Sequence, residues 1–287
     1  MAYSAKQENG VLYYLVWLNL YEVFMGKLSE KRLFLLDMDG TIYLDNDLFD
    51  GTLDFLEKVK KNGGRYLFLT NNSSKGATEY VKKLKKIGIE SSDDDFLTST
   101  NATISYINSK YQGKKFYVMG TKSFISELVS SGILVTTEVC DDIFGVIISN
   151  DTELDFKKLD DVSYLLTRGV SEYIATNPDW VCPTSYGYVP DCGSFAWMLE
   201  KATGKKPRFI GKPQPEMIYA AIERCGMTPE STVMIGDRLY TDIAAGYNAG
   251  VDTVFVLSGE GTLKDVEKSD IKPTYIMSNI REAFNEL

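Results

Sequence analysis

Eight short runs of β-branched and aromatic residues, at 32–36, 65–70, 116–119, 144–149, 173–176, 232–235, 253–257 and 275–277, alternate with amphipathic segments such as 52–61, 78–87 and 216–225. Strands alternating with helices restrict the chain to parallel sheets covered by helices. The runs LFLL, YLFLT and TVMIG are apolar on successive residues, as strands covered on both faces require. The predicted fold class is therefore α/β, with a Rossmann-like parallel-sheet core. At 287 residues the chain is long enough for one to two domains and a large core without disulfide or metal staples. Polar signals collect at the C-terminal ends of three strands: Asp37 and Asp39, residues 70–73, and Asp237. Open parallel sheets bind ligands at those ends. Residues 28–113 and 207–287 thus read as two parts of one core, 114–206 as an inserted α/β domain, and 1–27 as an apolar extension.

Composition removes many chemistries. The chain has no histidine, so Ser-His-Asp triads, Cys-His pairs and His-ligated zinc are excluded. Acid–base work must fall to carboxylates, Lys, Tyr or Cys. With 31 basic and 40 acidic residues the net charge is −9, which argues against a nucleic-acid partner. Cys140, Cys182, Cys192 and Cys225 form no C-x-x-C pair, and the expected state is four reduced thiols in a cytoplasmic protein, although Cys182 and Cys192 are close enough in sequence to bridge. The most apolar stretch, 11–25, is short for a bilayer span and contains Asn19 and Glu22, so stable membrane insertion is not expected. It reads as a segment that packs on the protein or on a second subunit.

The central feature is LFLLDMDGTIY, residues 33–43. Asp37 and Asp39 are two apart at a strand end, and a period of two predicts that they share a side. Gly40 permits a sharp turn, and Thr41 offers a hydroxyl and an amide within it. Two carboxylates this close need a cation or a retained proton. A Mg²⁺-bound carboxylate can attack phosphorus while its protonated neighbour donates to the leaving oxygen. LTNNSS places Thr70, Asn71, Asn72 and Ser73 at a second strand end, where hydroxyl, amide and N–H groups suit a phosphate oxygen. GKPQPEM supplies Lys212, and GDRLYTDIAAG supplies Asp237 and Asp242. Acids, a hydroxyl/amide cradle and a lysine at strand ends are the inventory of metal-assisted phosphoryl transfer.

The ordered set DMDGT, LTNNS, GKP and GDRLYTDI resembles the haloacid dehalogenase (HAD) superfamily, and within it the branch of NagD and the p-nitrophenyl phosphatases. The cap stretch IATNPDW, followed by PDCGSFAWMLEKATGKKPRFIGKP, is similar to that branch as well. The resemblance implies a HAD core with a large (type IIA) α/β cap, acting as a Mg²⁺-dependent phosphomonoesterase on a small phosphorylated metabolite. Asp37 would form an aspartyl-phosphate, and Asp39 would protonate the leaving alcohol and then activate water. Asp37, Asp39 (through its main-chain carbonyl) and Asp237 would hold Mg²⁺, with Asp242 assisting. Gly40, Thr41, Thr70, Asn71, Asn72 and Lys212 would bind the phosphoryl group. Asn177, Asp179, Trp180 and Tyr186 of the inserted domain would meet the leaving group. A homodimer paired through the cap is one assembly the resemblance implies.

Three features depart from the family pattern: Tyr240 stands where an acid is usual, Asp191-Cys192-Gly193 replaces a small-residue G-x-G, and the extension before Leu28 has no counterpart. Rival readings are a phosphomutase or phosphotransferase of the same chemistry, and a phospho-acceptor signalling module. Mutases of the superfamily generally carry different caps, and receiver-type modules are much shorter and lack the insert.

Overall fold

The structure, a computed structural model, describes residues 27–73, 76–184 and 187–287. The apolar stretch 11–25 and Tyr186 lie outside the described residues. Six parallel strands form the first sheet, in the order Tyr275–Met277, Asp252–Val256, Thr232–Gly236, Leu33–Leu36, Arg65–Thr70 and Phe96–Thr98. Leu33–Leu36 is central, and its last residue is in register with Ile235 on one side and Phe68 on the other. This register sets the C-terminal ends of three strands side by side.

Every residue of Leu33–Leu36 is buried, and successive side chains go to opposite faces. Leu33 and Leu35 join Met217, Ile218 and Ala221 of the helix Glu216–Cys225. Phe34 and Leu36 join Phe55, Leu56 and Val59 of the helix Thr52–Lys61. The buried set of that helix falls at i, i+3, i+4 and i+7, starting from Thr52, which is one helical face. Each large apolar side chain so buried contributes about 1.5–3 kcal/mol before entropy is subtracted.

Five more strands, Arg208–Phe209, Glu172–Ala175, Gly145–Ile148, Lys115–Met119 and Leu134–Thr136 in that order, form a second parallel sheet. Phe116, Val118, Ile147 and Ile174 belong to the same apolar cluster as Leu33 and Leu35, so one core runs between the two sheets. The other face packs Tyr117, Met119, Val146 and Ile148 against the helices Phe156–Arg168 and Cys192–Thr203. Two antiparallel hairpins, Tyr43–Leu44 with Asp47–Leu48 and Val181–Thr184 with Gly187–Pro190, complete the picture.

All eight apolar runs are strands. The sequence pattern missed Phe96–Thr98, Leu134–Thr136, Arg208–Phe209 and the strands of both hairpins, which are two to four residues long and give little periodicity. Cys192 is a free buried thiol, so no bridge to Cys182 forms, and Cys140 and Cys225 are free as well. No helix among the described residues is long and apolar enough to cross a membrane.

Candidate active site

The central strand's ladder runs one residue past its end: the Asp37 N–H donates to the Ile235 carbonyl at 2.9 Å. Its carboxylate therefore stands on the floor of a cleft of about 420 Å³ at the strand ends. Asp39 lines the same cleft but occupies a different environment, because the strand stops at Leu36 and the alternation of sides stops with it. The Asp39 side chain is 54% exposed, accepts from the Tyr43 hydroxyl at 3.4 Å and lies 3.5 Å from Lys83 Nζ. Burial and the Asp39 charge push the Tyr43 phenol up, which keeps it a donor. Gly40 turns the chain with φ +86°, and a Cβ there would lie 2.5 Å from Asp237 Oδ2. Thr41 is fully buried, and its hydroxyl has no hydrogen-bond partner among the described residues.

Asp37, Asp237 and Asp242 present carboxylate oxygens within 4.8 Å of one another. Asp237 directly follows the strand Thr232–Gly236, and Asp242 lies in the helical turn Leu239–Ile243 that comes next. Asp237 Oδ2 accepts from the Glu260 N–H at 2.7 Å, whereas Oδ1 is buried without a partner among the described residues. Asp242 Oδ2 accepts from the Arg238 N–H at 3.1 Å. Lys212 Nζ stands between the acids, 2.6 Å from Asp37 Oδ1 and 2.7 Å from Asp242 Oδ1. Burial and then the Asp242 charge raise the Asp37 carboxyl well above its usual range. The same causes push Asp237 up to about 6. Burial works against the Lys212 charge, but Asp242 and Asp37 outweigh it and hold its pKa above the ordinary value. Two of these acids, Asp37 and Asp242, share one lysine, and the third, Asp237, keeps a buried oxygen with no hydrogen-bond partner among the described residues. That donor set fits a hard divalent cation. The Asp39 side chain is not part of this cluster.

Thr70 ends its strand at the cleft, and its hydroxyl accepts from the Asn72 N–H at 3.2 Å. Asn71 and Asn72 line the cleft beside it. Ser73 faces the second sheet instead: its hydroxyl is 3.0 Å from that of Thr176 and accepts from the Asn150 N–H at 3.1 Å.

Of the inserted-domain candidates, Asp179 reaches the cleft, where Asn71 Nδ2 donates to its Oδ1 at 3.2 Å and burial raises its pKa. Trp180 is 57% exposed and borders an adjoining cavity of about 520 Å³ with Tyr188, Arg238 and Tyr240. Asn177 is fully buried; it accepts from the Thr176 hydroxyl at 2.9 Å and donates to Asp191 at 3.2 Å, so its side chain braces the loop. Asp191-Cys192-Gly193 opens the helix Cys192–Thr203: Asp191 accepts the Cys192 N–H at 2.6 Å, and the Gly193 N–H donates to the Asp179 carbonyl at 2.9 Å.

Burial pushes Asp191 up to about 6. An acid whose folded pKa is raised favours folding while it is protonated, so this stability is present below about pH 4 and lost as pH rises through about 6. The loss is about 3 kcal/mol at most. Asp191→Asn keeps a capping oxygen and should remove that dependence. In urea unfolding the variant should gain on wild type by about 2–3 kcal/mol at pH 7 and by little at pH 4. An equal difference at both pH values would show that folding does not raise the Asp191 pKa.

Sequence reasoning missed the loop 258–261. Ser258 Oγ donates to the Gly40 carbonyl at 2.7 Å, and the Gly261 N–H donates to the Asp237 carbonyl at 3.1 Å. The glycines flanking Glu260 were a turn signal. Arg238 was also missed; it borders the cleft 2.9 Å from Glu260 Oε2. Glu260 Oε1 accepts from the Tyr240 hydroxyl at 2.9 Å, so the tyrosine that replaces the usual acid is tied to the same loop.

The family model of the haloacid dehalogenase-like hydrolases matches residues 34–134, and a HAD-hydrolase-like model matches 209–283. An acid sugar phosphatase of Staphylococcus aureus is 32% identical over 260 residues, which are 91% of this chain and 99% of the relative. Among solved structures, a 4-nitrophenylphosphatase from Thermotoga maritima is 38% identical with a TM-score of 0.84, covering 90% of this chain and 98% of that one. NagD from E. coli K-12 is 31% identical with a TM-score of 0.81, covering 88% and 98%. A glycerol phosphate phosphatase from Mycobacterium tuberculosis, solved in complex with magnesium, is 27% identical with a TM-score of 0.83, covering 91% and 79%.

Proposed function

Because this chain belongs to the haloacid dehalogenase-like hydrolases, as a phosphatase of their NagD-like branch, we propose that it is a Mg²⁺-dependent phosphomonoester hydrolase working through an aspartyl-phosphate. Its substrates would be small phosphorylated metabolites such as sugar phosphates or nucleoside monophosphates, and 4-nitrophenyl phosphate as a probe. The observation that carries this reading is the cluster of Asp37, Asp237 and Asp242, in which Lys212 bridges Asp37 and Asp242 and Asp237 Oδ1 is buried with no hydrogen-bond partner among the described residues.

In this reading Asp37 Oδ attacks phosphorus, and the bond to the leaving oxygen breaks as Asp39 gives that oxygen its proton. Asp39, now a carboxylate at the open side of the cleft, takes a proton from water, whose oxygen attacks the acyl phosphate and releases orthophosphate and the free Asp37 carboxylate. Its exposure beside Tyr43 and Lys83 lets solvent and leaving group reach it. Lys212 and the Thr70 hydroxyl would offset the phosphoryl charge; the N–H groups expected to join them are engaged within their own turns, Gly40 with the Tyr43 carbonyl at 2.8 Å, Thr41 with the Met38 carbonyl at 3.1 Å and Asn72 with Thr70 Oγ1 at 3.2 Å. Asp37, Asp237, Asp242 and the Asp39 carbonyl would hold Mg²⁺, which when bound supplies positive charge against the carboxylates and the phosphoryl oxygens. Residues 114–206 would be the cap over a core of 28–113 and 207–287, except that the strand Arg208–Phe209 pairs with Glu172–Ala175 and so extends the cap's sheet past residue 206; Asp179 and Trp180 would meet the leaving group.

Turnover of 4-nitrophenyl phosphate tests the reading. Excess EDTA should cut kcat by about 100-fold or more, and added Mg²⁺ should restore it. Mg²⁺ at 100 times its Kd should also stabilise the fold by about 2.7 kcal/mol. Equal turnover in EDTA and in Mg²⁺ would overturn the metal assignment, and a panel of phosphorylated metabolites ranked by kcat/KM would narrow the substrate.

A further inference from the structure

Asn71 sits in the loop expected to hold phosphate, yet its side chain is committed elsewhere. Oδ1 accepts from the Lys212 N–H at 2.8 Å, while Nδ2 donates to the Lys212 carbonyl at 2.9 Å and to Asp179 Oδ1 at 3.2 Å. The O and N positions are forced, because the Lys212 N–H needs an acceptor and its carbonyl a donor. Both amide hydrogens are therefore used. The remaining polar atom is an acceptor, which cannot bind a phosphate oxygen. Asn71 is buried, as an unpaired amide could not be without cost. The neighbouring chain is shaped around it: a Cβ on Gly211 would lie 2.5 Å from Asn71 Oδ1 and 2.7 Å from the Thr176 carbonyl. Asn71 thus fixes the Lys212 main chain on both sides of its Cα, and the lysine side chain then reaches Asp37 and Asp242.

We infer that Asn71 is a positioning residue that holds the Lys212 main chain, and with it the ammonium between Asp37 and Asp242, and that couples this placement to Asp179 of the inserted region. The inference rests on the phosphatase reading above, in which Lys212 faces the phosphoryl group. Its side chain acts through Lys212 and not on phosphate.

A double-mutant cycle on the full chain with 4-nitrophenyl phosphate and Mg²⁺ tests this. Asn71→Ala should lower kcat about 10- to 100-fold with KM changed less than about 3-fold, as a misplaced catalytic group does. In a Lys212→Met background the same change should cost less than about 3-fold, because the group it positions is gone. A full, additive loss in that background would show independent action and overturn the inference. Asn71→Asp is close to isosteric and guards against misfolding; it loses both donors and sets a carboxylate against Asp179. Adding Asp179→Asn restores a donor to that contact and should recover about 3-fold or more of the lost kcat. No recovery would overturn the coupling to Asp179. Absence of Mg²⁺-dependent turnover by wild type would instead defeat the phosphatase reading itself.

Discussion

Asp37→Asn is expected to lower kcat for 4-nitrophenyl phosphate by about 10⁴-fold or more while leaving the fold in place. The amide has the shape of the carboxylate but no anionic oxygen to form a bond to phosphorus. The rest of the site does not depend on that oxygen: Lys212 also pairs with Asp242 at 2.7 Å, and Asp237 accepts the Glu260 N–H at 2.7 Å. Stability should shift little, because two effects oppose each other. The substitution takes away one partner of Lys212, but it also removes a half-buried acid whose ionisation is resisted by desolvation and by Asp242. Melting should stay within about 5 °C of wild type. A folded variant that keeps more than about 1% of wild-type kcat would show that Asp37 is not the nucleophile.

Lys212→Met should combine a large catalytic loss with a large stability loss, and the second should depend on the metal. The ammonium is buried and lies 2.6 and 2.7 Å from two acids. Removing it leaves carboxylates facing one another without their cation, and breaking a buried pair in this way costs about 3–5 kcal/mol. In EDTA the variant should unfold more easily by about that amount at pH 7. Saturating Mg²⁺ should recover part of it, since a divalent cation offsets the same repulsion. Turnover should fall about 10²- to 10³-fold, the usual cost of one lost charge-stabilising donor. Urea unfolding in EDTA and in Mg²⁺ reads the first effect, and steady-state kinetics the second. Equal destabilisation in both media would mean that Lys212 supports the fold through packing and not by neutralising the acids.

Much of the fold was legible along the chain because its information is local. LFLL, YLFLT and TVMIG read as doubly buried strands since every residue is apolar, and Leu33 to Leu36 do alternate between two cores. The acids, Thr70 and Lys212 were legible because each follows a strand or precedes a helix, and strand ends of a parallel sheet face one side. Asn177 shows the limit: its motif placed it with substrate, but in the fold it is buried, bracing Asp191 and Thr176. Glu260, Arg238 and the working side of Asn71 were not legible. Their partners lie far away along the chain, as with Asn71 and Lys212, which are 141 residues apart. No periodicity records such a pairing.

The sequence by itself determined the architecture, the absence of histidine chemistry and the identity of the acids, because hydrophobic period, strand-end position and composition are properties of single segments. Tertiary structure alone decided how those acids differ. Register sets Leu36 level with Ile235 and Phe68, and that alignment brings Asp37, Asp237 and Asp242 around one lysine. The end of the strand at Leu36 leaves Asp39 in the open turn, two residues from Asp37 but in a different dielectric. Burial and neighbouring charge set what a carboxylate can do, and both depend on segments that meet only once the chain has folded.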